Sequence, residues 1–267
     1  MICFPNAKIN LGLHVIRKRS DRYHDIETIF YPVPLKDALE VVPASGFSFR
    51  QVGTPVEGDP QNNLVIKALK VLQRDYEIPP VEIYLKKAIP CGAGLGGGSS
   101  DASFMLKLLN AFAGLNLPEQ TLERLAASLG ADCPFFIRNT PVLASGTGTV
   151  FEEIPLSLKG SVIYIIKPDA AVSTQAAYAS VTPAKPSVSL KEIAQTPVNE
   201  WKDILVNDFE RSVFKQYPVI QALKNKLYEQ GAVYASMSGS GSAVFGLFEQ
   251  DVTLNLDDCF SWKGILE

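Results

Sequence analysis

Residues 7–15 alternate without a break. Ala7, Ile9, Leu11, Leu13 and Val15 fall on one side, and Lys8, Asn10, Gly12 and His14 on the other. A period of two predicts a strand. Val81, Ile83 and Leu85 repeat the pattern, and residues 25–30, 38–42 and 47–52 predict three more strands. Helical spacing appears first at Val65, Leu69, Leu72 and Tyr76, with Asn62 or Asn63 placed to cap it. Two more helices follow. One carries Ala102, Met105, Leu106, Leu109 and Phe112 and closes near Gly114; the other carries Leu122, Leu125, Ala126 and Leu129 and closes at Gly130. Residues 162–166 read as a buried strand. Helices are expected at 173–179, 207–217 and 219–230, and strands at 233–237 and 243–248. A boundary is expected near residues 155–160, giving domains 1–156 and 157–267. The tail after Phe248 carries no helical pattern.

Between the strand ending at Lys87 and the helix near Ser99 lies Pro90-Cys91-Gly92-Ala93-Gly94-Leu95-Gly96-Gly97-Gly98-Ser99-Ser100-Asp101. Glycines let backbone N–H groups converge and let a bulky anion come close. The following helix start favours negative charge. The segment therefore reads as a phosphate cradle. Gly92, Gly94 and Gly97 fit G-x-G-x-x-G, but the acidic residue a dinucleotide site needs about twenty positions on is missing. The P-loop ending Gly-Lys-Ser/Thr is replaced by Gly-Ser-Ser, and the protein-kinase signatures are absent. A second glycine-serine turn spans residues 238–242. Ser212 to Lys215 fits S-x-x-K, but its partner Lys-Thr-Gly is lacking.

Composition narrows the class. The 267 residues are 46% hydrophobic and 20% charged, an ordinary globular balance. A net charge of -3 gives no electrostatic case for nucleic acid or an anionic membrane. Four scattered cysteines and two histidines do not make a structural zinc site, and a reduced, cytoplasmic setting is expected. The basic cluster Arg17-Lys18-Arg19 follows the apolar N-terminal stretch, the wrong order for a signal peptide, and no run is long enough to span a membrane.

Three segments, taken together, carry a resemblance. They are Pro5-Asn6-Ala7-Lys8-Ile9-Asn10-Leu11 with Arg22-Tyr23-His24, the glycine segment with Lys87 and Pro90, and Leu129-Gly130-Ala131-Asp132-Cys133-Pro134-Phe135-Phe136. With the late glycine-serine turn they resemble the GHMP small-molecule kinase superfamily over nearly the whole chain to Phe248. Gly-Gly-Gly-Ser-Ser-Asp and the Tyr-His pair are similar to members whose alcohol substrate carries cytidine diphosphate, rather than to mevalonate or homoserine kinases. Arg22 stands where glycine is usual, and Thr149 where glutamate is common.

The resemblance implies an α+β, two-domain fold with its active site in the interdomain cleft. It also implies ATP and Mg²⁺ as cofactors, metal ligands unknown, and γ-phosphoryl transfer to a cytidine-diphosphate-linked sugar alcohol by a monomer or weak homodimer. Asp132 would be the catalytic base. Lys8 would orient Asp132 and the hydroxyl and neutralise charge, since loose phosphoryl transfer depends on positioning more than on strong proton abstraction. Asn63, Leu64, Lys87 and residues 90–100 would hold the nucleotide. Asn10, Tyr23, His24, Tyr178, Ser238 and Gly239 would hold the substrate. Each has a plainer reading: Asp132 as a helix cap, Lys8 as a solvated strand lysine, Asn10 as a strand-end polar residue, Leu64 as a first-turn core residue, Ser99 or Ser100 as a cap, and Tyr23-His24 as an aromatic turn. Two other functions stay open, another GHMP small-alcohol kinase and a catalytically silent nucleotide sensor.

Overall fold

The computed structural model describes residues 1–56, 58–186, 188–254 and 259–267. In chain order it opens with β1 (Ile2–Cys3), β2 (Asn6–Lys18), β3 (His24–Lys36), β4 (Ala38–Pro43) and β5 (Ser48–Gly53). Then come α1 (Leu64–Asp75), β6 (Val81–Lys87), α2 (Gly97–Phe112), α3 (Glu119–Ala127) and α4 (Cys133–Arg138). β7 (Val142–Ser145), β8 (Val150–Glu153), β9 (Val162–Lys167), α5 (Thr174–Ala179) and α6 (Leu190–Ile193) follow. The chain ends with α7 (Glu210–Gln216), α8 (Pro218–Glu229), β10 (Tyr234–Met237), β11 (Val244–Phe248) and β12 (Phe260–Ile265).

Two compact units form. The first comprises Met1–Ala7, Leu35–Cys91 and Gly96–Thr140, the second Lys8–Pro34, Gly92–Leu95 and Pro141–Glu267.

The first unit holds the sheet β1-β4-β6-β5. β4 runs antiparallel to β6 with Val41 opposite Ile83, and β5 runs parallel to it with Phe49 opposite Ile83. α1 begins where the Asn63 side chain accepts the Val65 N–H at 2.9 Å, which decides between the two candidate caps. Val65, Leu69 and Leu72 of α1 and Met105, Leu106 and Leu109 of α2 pack with Leu39, Val41, Ile83 and Leu85. Each fully buried leucine contributes about 1.5–3 kcal/mol relative to exposure. α2 starts two residues ahead of Ser99, at Gly97.

The second unit holds two antiparallel sheets, β10-β11-β9-β12 and β2-β3-β7-β8. The 162–166 run is the strand β9, paired on both sides: Ile165 lies opposite Phe245 of β11 and opposite Trp262 of β12. The tail is thus an edge strand. The core joins Leu13 and Val15 to Phe209, Val213, Ile220, Leu227, Met237 and Phe248. α7 starts later than the pattern indicates, because Asn207 accepts the Phe209 N–H at 3.0 Å and holds the chain in a turn. β7, β8 and α6 were not anticipated. They are four residues each; β7 and β8 are held by pairing with one another and α6 by its Ser189–Glu192 capping box.

Candidate functional site

β2 departs from its pattern in one informative way: its polar side is buried too. Lys8 is 3% exposed and Asn10 2%. The reading of Lys8 as a solvated lysine is therefore wrong. Its Nζ donates to Asn10 Oδ1 at 2.6 Å and lies 4.9 Å from the Phe30 ring centre. Asn10 Nδ2 donates to Thr28 Oγ1 at 2.9 Å, and Thr28 donates to the Gly12 carbonyl at 2.6 Å. Asn10 N–H donates to Ser238 Oγ at 3.3 Å, and Ser238 Oγ donates to the Gly94 carbonyl at 2.8 Å. Lys8 N–H donates to the Leu95 carbonyl at 2.9 Å, and Ala243 N–H to the Ala93 carbonyl at 3.1 Å. The second unit thus gathers Lys8, Asn10, residues 92–95, Ser238 and Gly239 into one network.

Glycine is required at Gly94. Its φ is 77°, and a Cβ there would sit 2.0 Å from the Ser238 carbonyl oxygen. Gly92 and Gly96 also take left-handed φ values, 62° and 71°. Alternate left-handed residues turn successive N–H groups toward a common side, the geometry of an anion nest. Behind the late turn stands a residue that carried no motif. Asn207 Nδ2 donates to the carbonyls of Met237 and Gly239, both at 2.8 Å.

The aromatic candidates are also in the second unit. Arg22 adopts φ 71°, so the turn keeps the backbone form a glycine would give. Tyr23 is 67% exposed. His24 and Tyr178 stack on one another with ring centres 4.9 Å apart and planes 19° apart, and Tyr178 meets Phe209 edge-on at 4.7 Å. A base can enter between His24 and Tyr178 only if the two rings part.

The first unit gathers the other half of the candidates. Asn63 caps α1 and donates to Gln51 Oε1 at 3.2 Å, with half-buried Leu64 beside it. Pro90 is buried and Cys91 exposed. The Lys87 side chain points inward, bonded to Asp37 and, at 2.7 Å, to Asp101. Asp37 also accepts the N–H of Ala88 at 2.5 Å and of Ile89 at 2.8 Å, clamping the chain that enters the glycine segment. A Cβ on Gly97 would meet Lys87 Nζ at 3.2 Å, so the ammonium lies directly under the start of α2. Lys87 therefore supports the nucleotide segment from beneath. Burial pushes Asp101 up to about 8 against the pull of Lys87, with Asp37 adding to the rise. Burial works against the Lys87 charge too, but the two carboxylates outweigh it and hold the ammonium above its ordinary range.

Asp132 occupies the position before α4, yet its side chain makes no capping bond there, and it is only half-buried. Capping alone does not account for it. Ser103 Oγ donates to the carbonyls of Ser99 and Cys133, at 2.9 and 2.6 Å, tying the start of α2 to the residue after Asp132. Ser100 Oγ is buried without a hydrogen-bond partner among the described residues. At the far end of α4, Asn139 (φ 60°) exchanges two amide hydrogen bonds with Asn6, at 2.8 and 3.1 Å, anchoring the chain two residues ahead of Lys8.

Comparison with known proteins agrees with this layout. The family model described as the GHMP kinases N terminal domain matches residues 63–139, and that described as GHMP kinases C terminal matches 189–255. A Parabacteroides distasonis protein named 4-diphosphocytidyl-2-C-methyl-D-erythritol kinase is 61% identical over 270 residues, covering 100% of both chains. The chain belongs to the GHMP kinase family.

A Bacteroides thetaiotaomicron protein of the same name is 58% identical, again over 100% of both chains. A crystal structure of 4-(cytidine 5'-diphospho)-2C-methyl-D-erythritol kinase matches this GHMP kinase with a TM-score of 0.81 and 34% identity, over 92% of this chain and 90% of that one. The chain is accordingly an ATP-dependent small-molecule kinase with the α+β GHMP fold. No helix among the described residues is long and apolar enough to cross a membrane.

Proposed function

We propose that this GHMP kinase transfers the γ-phosphoryl group of ATP to the C2 hydroxyl of 4-(cytidine 5'-diphospho)-2-C-methyl-D-erythritol, a step toward isoprenoid precursors outside the mevalonate route. The observation that carries the reading is the buried Lys8–Asn10–Ser238 network bonded to the glycine segment, in the unit that also presents the His24–Tyr178 pair. A buried ammonium is costly unless it has a task or a partner. Here it sits on the strand that carries Asn10 and bonds the glycine-segment backbone.

Asp132 accepts the proton of the attacking hydroxyl. Lys8 orients that carboxylate and the hydroxyl and offsets charge on the transferring group. Residues 90–100 cradle the phosphates, with Asn63, Leu64 and the Lys87 backbone flanking adenine. Asn10, Ser238 and Gly239 face the substrate, and Tyr23, His24 and Tyr178 take the cytosine. Parting the His24–Tyr178 pair costs about 0.5–1.5 kcal/mol. Stacking returns about 1–3 kcal/mol per base, so insertion is favourable.

Mg²⁺ accompanies the nucleotide in this reading. The hydroxyls of Ser99 and Ser100, the latter buried without a hydrogen-bond partner among the described residues, are hard oxygen donors of the kind such an ion would take. Among the described residues no cluster of three His, Cys, Asp or Glu stands ready-made, so phosphate and water oxygens would have to supply the rest of the donors. When bound, the ion supplies charge neutralisation on the phosphates. In this reading the functional boundary is kept near residue 156, a position outside both matched segments, 63–139 and 189–255. The enzyme works in the cytoplasm as a monomer or weak homodimer, without nucleic acid.

ATP turnover, measured with the cytidylylated substrate, mevalonate, homoserine and no acceptor, tests this. Turnover with the first alone is expected. Equal turnover with mevalonate or homoserine would favour a generic small-alcohol kinase, and none with any acceptor a silent sensor.

A further inference from the structure

The second unit contains a cleft that none of the residues assigned above lines. It measures about 1210 Å³ and lies among the segment after α5, the loop before α7, and α7 itself. That volume is ample for a small organic ligand. Its charged groups are unevenly matched. Asp208 is engaged: Oδ2 accepts the Val15 N–H at 2.8 Å, and Oδ1 lies 3.5 Å from His14 Nδ1. Glu210 is engaged as well, accepting from Lys224 at 2.6 Å, Met237 N–H at 2.8 Å and Ser236 Oγ at 3.1 Å. Lys185, Arg211 and Lys215 line the same cleft, and no carboxylate pairs with them among the described residues. Against these three cations stands one exposed carboxylate, Asp203.

Two further features point to a ligand. His14 lies in the wall at 6% exposure, and its Nε2 is buried with no hydrogen-bond partner among the described residues. An unsatisfied buried polar atom is expensive and calls for a partner. The wall also exposes Val188, Ile204 and Val206, at 46%, 44% and 41%. Such apolar surface beside unpaired cations suits a molecule that is anionic at one end and apolar at the other.

We propose that this cleft is a second ligand site, for a small phosphate ester with an apolar body. Arg211 and Lys215 take the phosphate oxygens, Lys185 closes on them, and the valines and isoleucine cover the apolar part. One wall residue, Asn207, also bonds the carbonyls of Met237 and Gly239. Occupancy is thereby placed against the turn that the substrate reading uses.

The chain has only His14 and His24, so imidazole NMR resolves the cleft directly. The full-length protein is titrated with pyrophosphate, butyl diphosphate and citrate, and the His24→Gln variant assigns the two rings. The His14 signals should shift with both phosphates. Butyl diphosphate should bind at least about tenfold tighter than pyrophosphate, since each buried methylene contributes about 0.8 kcal/mol. Arg211→Ala with Lys215→Ala should weaken both by at least about tenfold, and Lys185→Ala serves as a second variant on a separate segment. An unmoved His14, a shift that survives both sets of substitutions, or equal binding of citrate would overturn the proposal. The His14 signal reports on this cleft, so its failure leaves the kinase reading intact, and a failed turnover assay leaves the cleft intact.

Discussion

At the scale of single residues the decisive groups are Lys8 and Asp132. Asp132→Asn keeps the shape of the side chain and removes its basicity. Turnover should fall roughly 10²–10⁴-fold, as for loss of a general base. Near-native turnover of a folded Asp132→Asn protein would remove it from the mechanism. Both residues were legible through motif, but their settings were not. Alternation in β2 put Lys8 on a polar face, and polar faces are normally wet. The cover comes from Ser238, 228 positions from Asn10, a distance no local pattern spans. Asn207 and the Asn6–Asn139 pair escaped notice for the same reason. An asparagine that bonds distant carbonyls looks, in sequence, like any turn residue.

At the scale of elements, the glycine segment and α2 make their own tests. Gly92 and Gly94 share a left-handed backbone, but a Cβ on Gly92 meets nothing within 4 Å, whereas one on Gly94 collides with the Ser238 carbonyl. Gly92→Ala should cost only the conformational penalty of about 1–2 kcal/mol. Gly94→Ala should exceed it by at least about 1 kcal/mol, because the contact is with backbone that must move. Urea unfolding of the two variants decides, and equal losses would show that the close approach does not matter. Asp101 gives a pH test. Its folded value of about 8 lies above the unfolded carboxylate value near 3.9. The native state therefore holds a proton that the unfolded chain releases, and stability should fall as pH rises from about 4 to about 8. Lys87 and Cys3, both held above ordinary values that already lie beyond pH 8, stay protonated throughout that window. Asp101→Asn should flatten the decline, and an unchanged slope in urea midpoints would refute the assignment. Long elements such as α1, α2 and β2 were readable because several turns or alternations repeat. β7, β8, α6 and the β12 edge were not, since each gains its stability from partners rather than from its own pattern.

At the scale of the whole molecule the open matter is substrate choice, and it turns on the aromatic pair. His24 and Tyr178 lie 154 positions apart (178 − 24) and meet face to face in the second unit. A kinase acting on a small unadorned alcohol has no use for that stack. A kinase whose substrate carries cytosine does, since a base replaces the ring-on-ring contact with two contacts of its own. Tyr178 also stands edge-on against Phe209, so the variant's fold is checked by its melting curve before the kinetics are compared. Tyr178→Ala should raise the KM for the cytidylylated substrate about tenfold or more, the equivalent of 1–3 kcal/mol of stacking, while the KM for ATP changes little. The comparison to make is methylerythritol 4-phosphate against its cytidylylated form, with wild-type and variant side by side. The wild type should strongly prefer the cytidylylated form, and the variant should lose much of that preference through KM rather than kcat. Equal use of both acceptors by the wild type, or a preference untouched by Tyr178→Ala, would mean that the pair is a packing contact only, and that specificity for cytidine resides elsewhere or is absent.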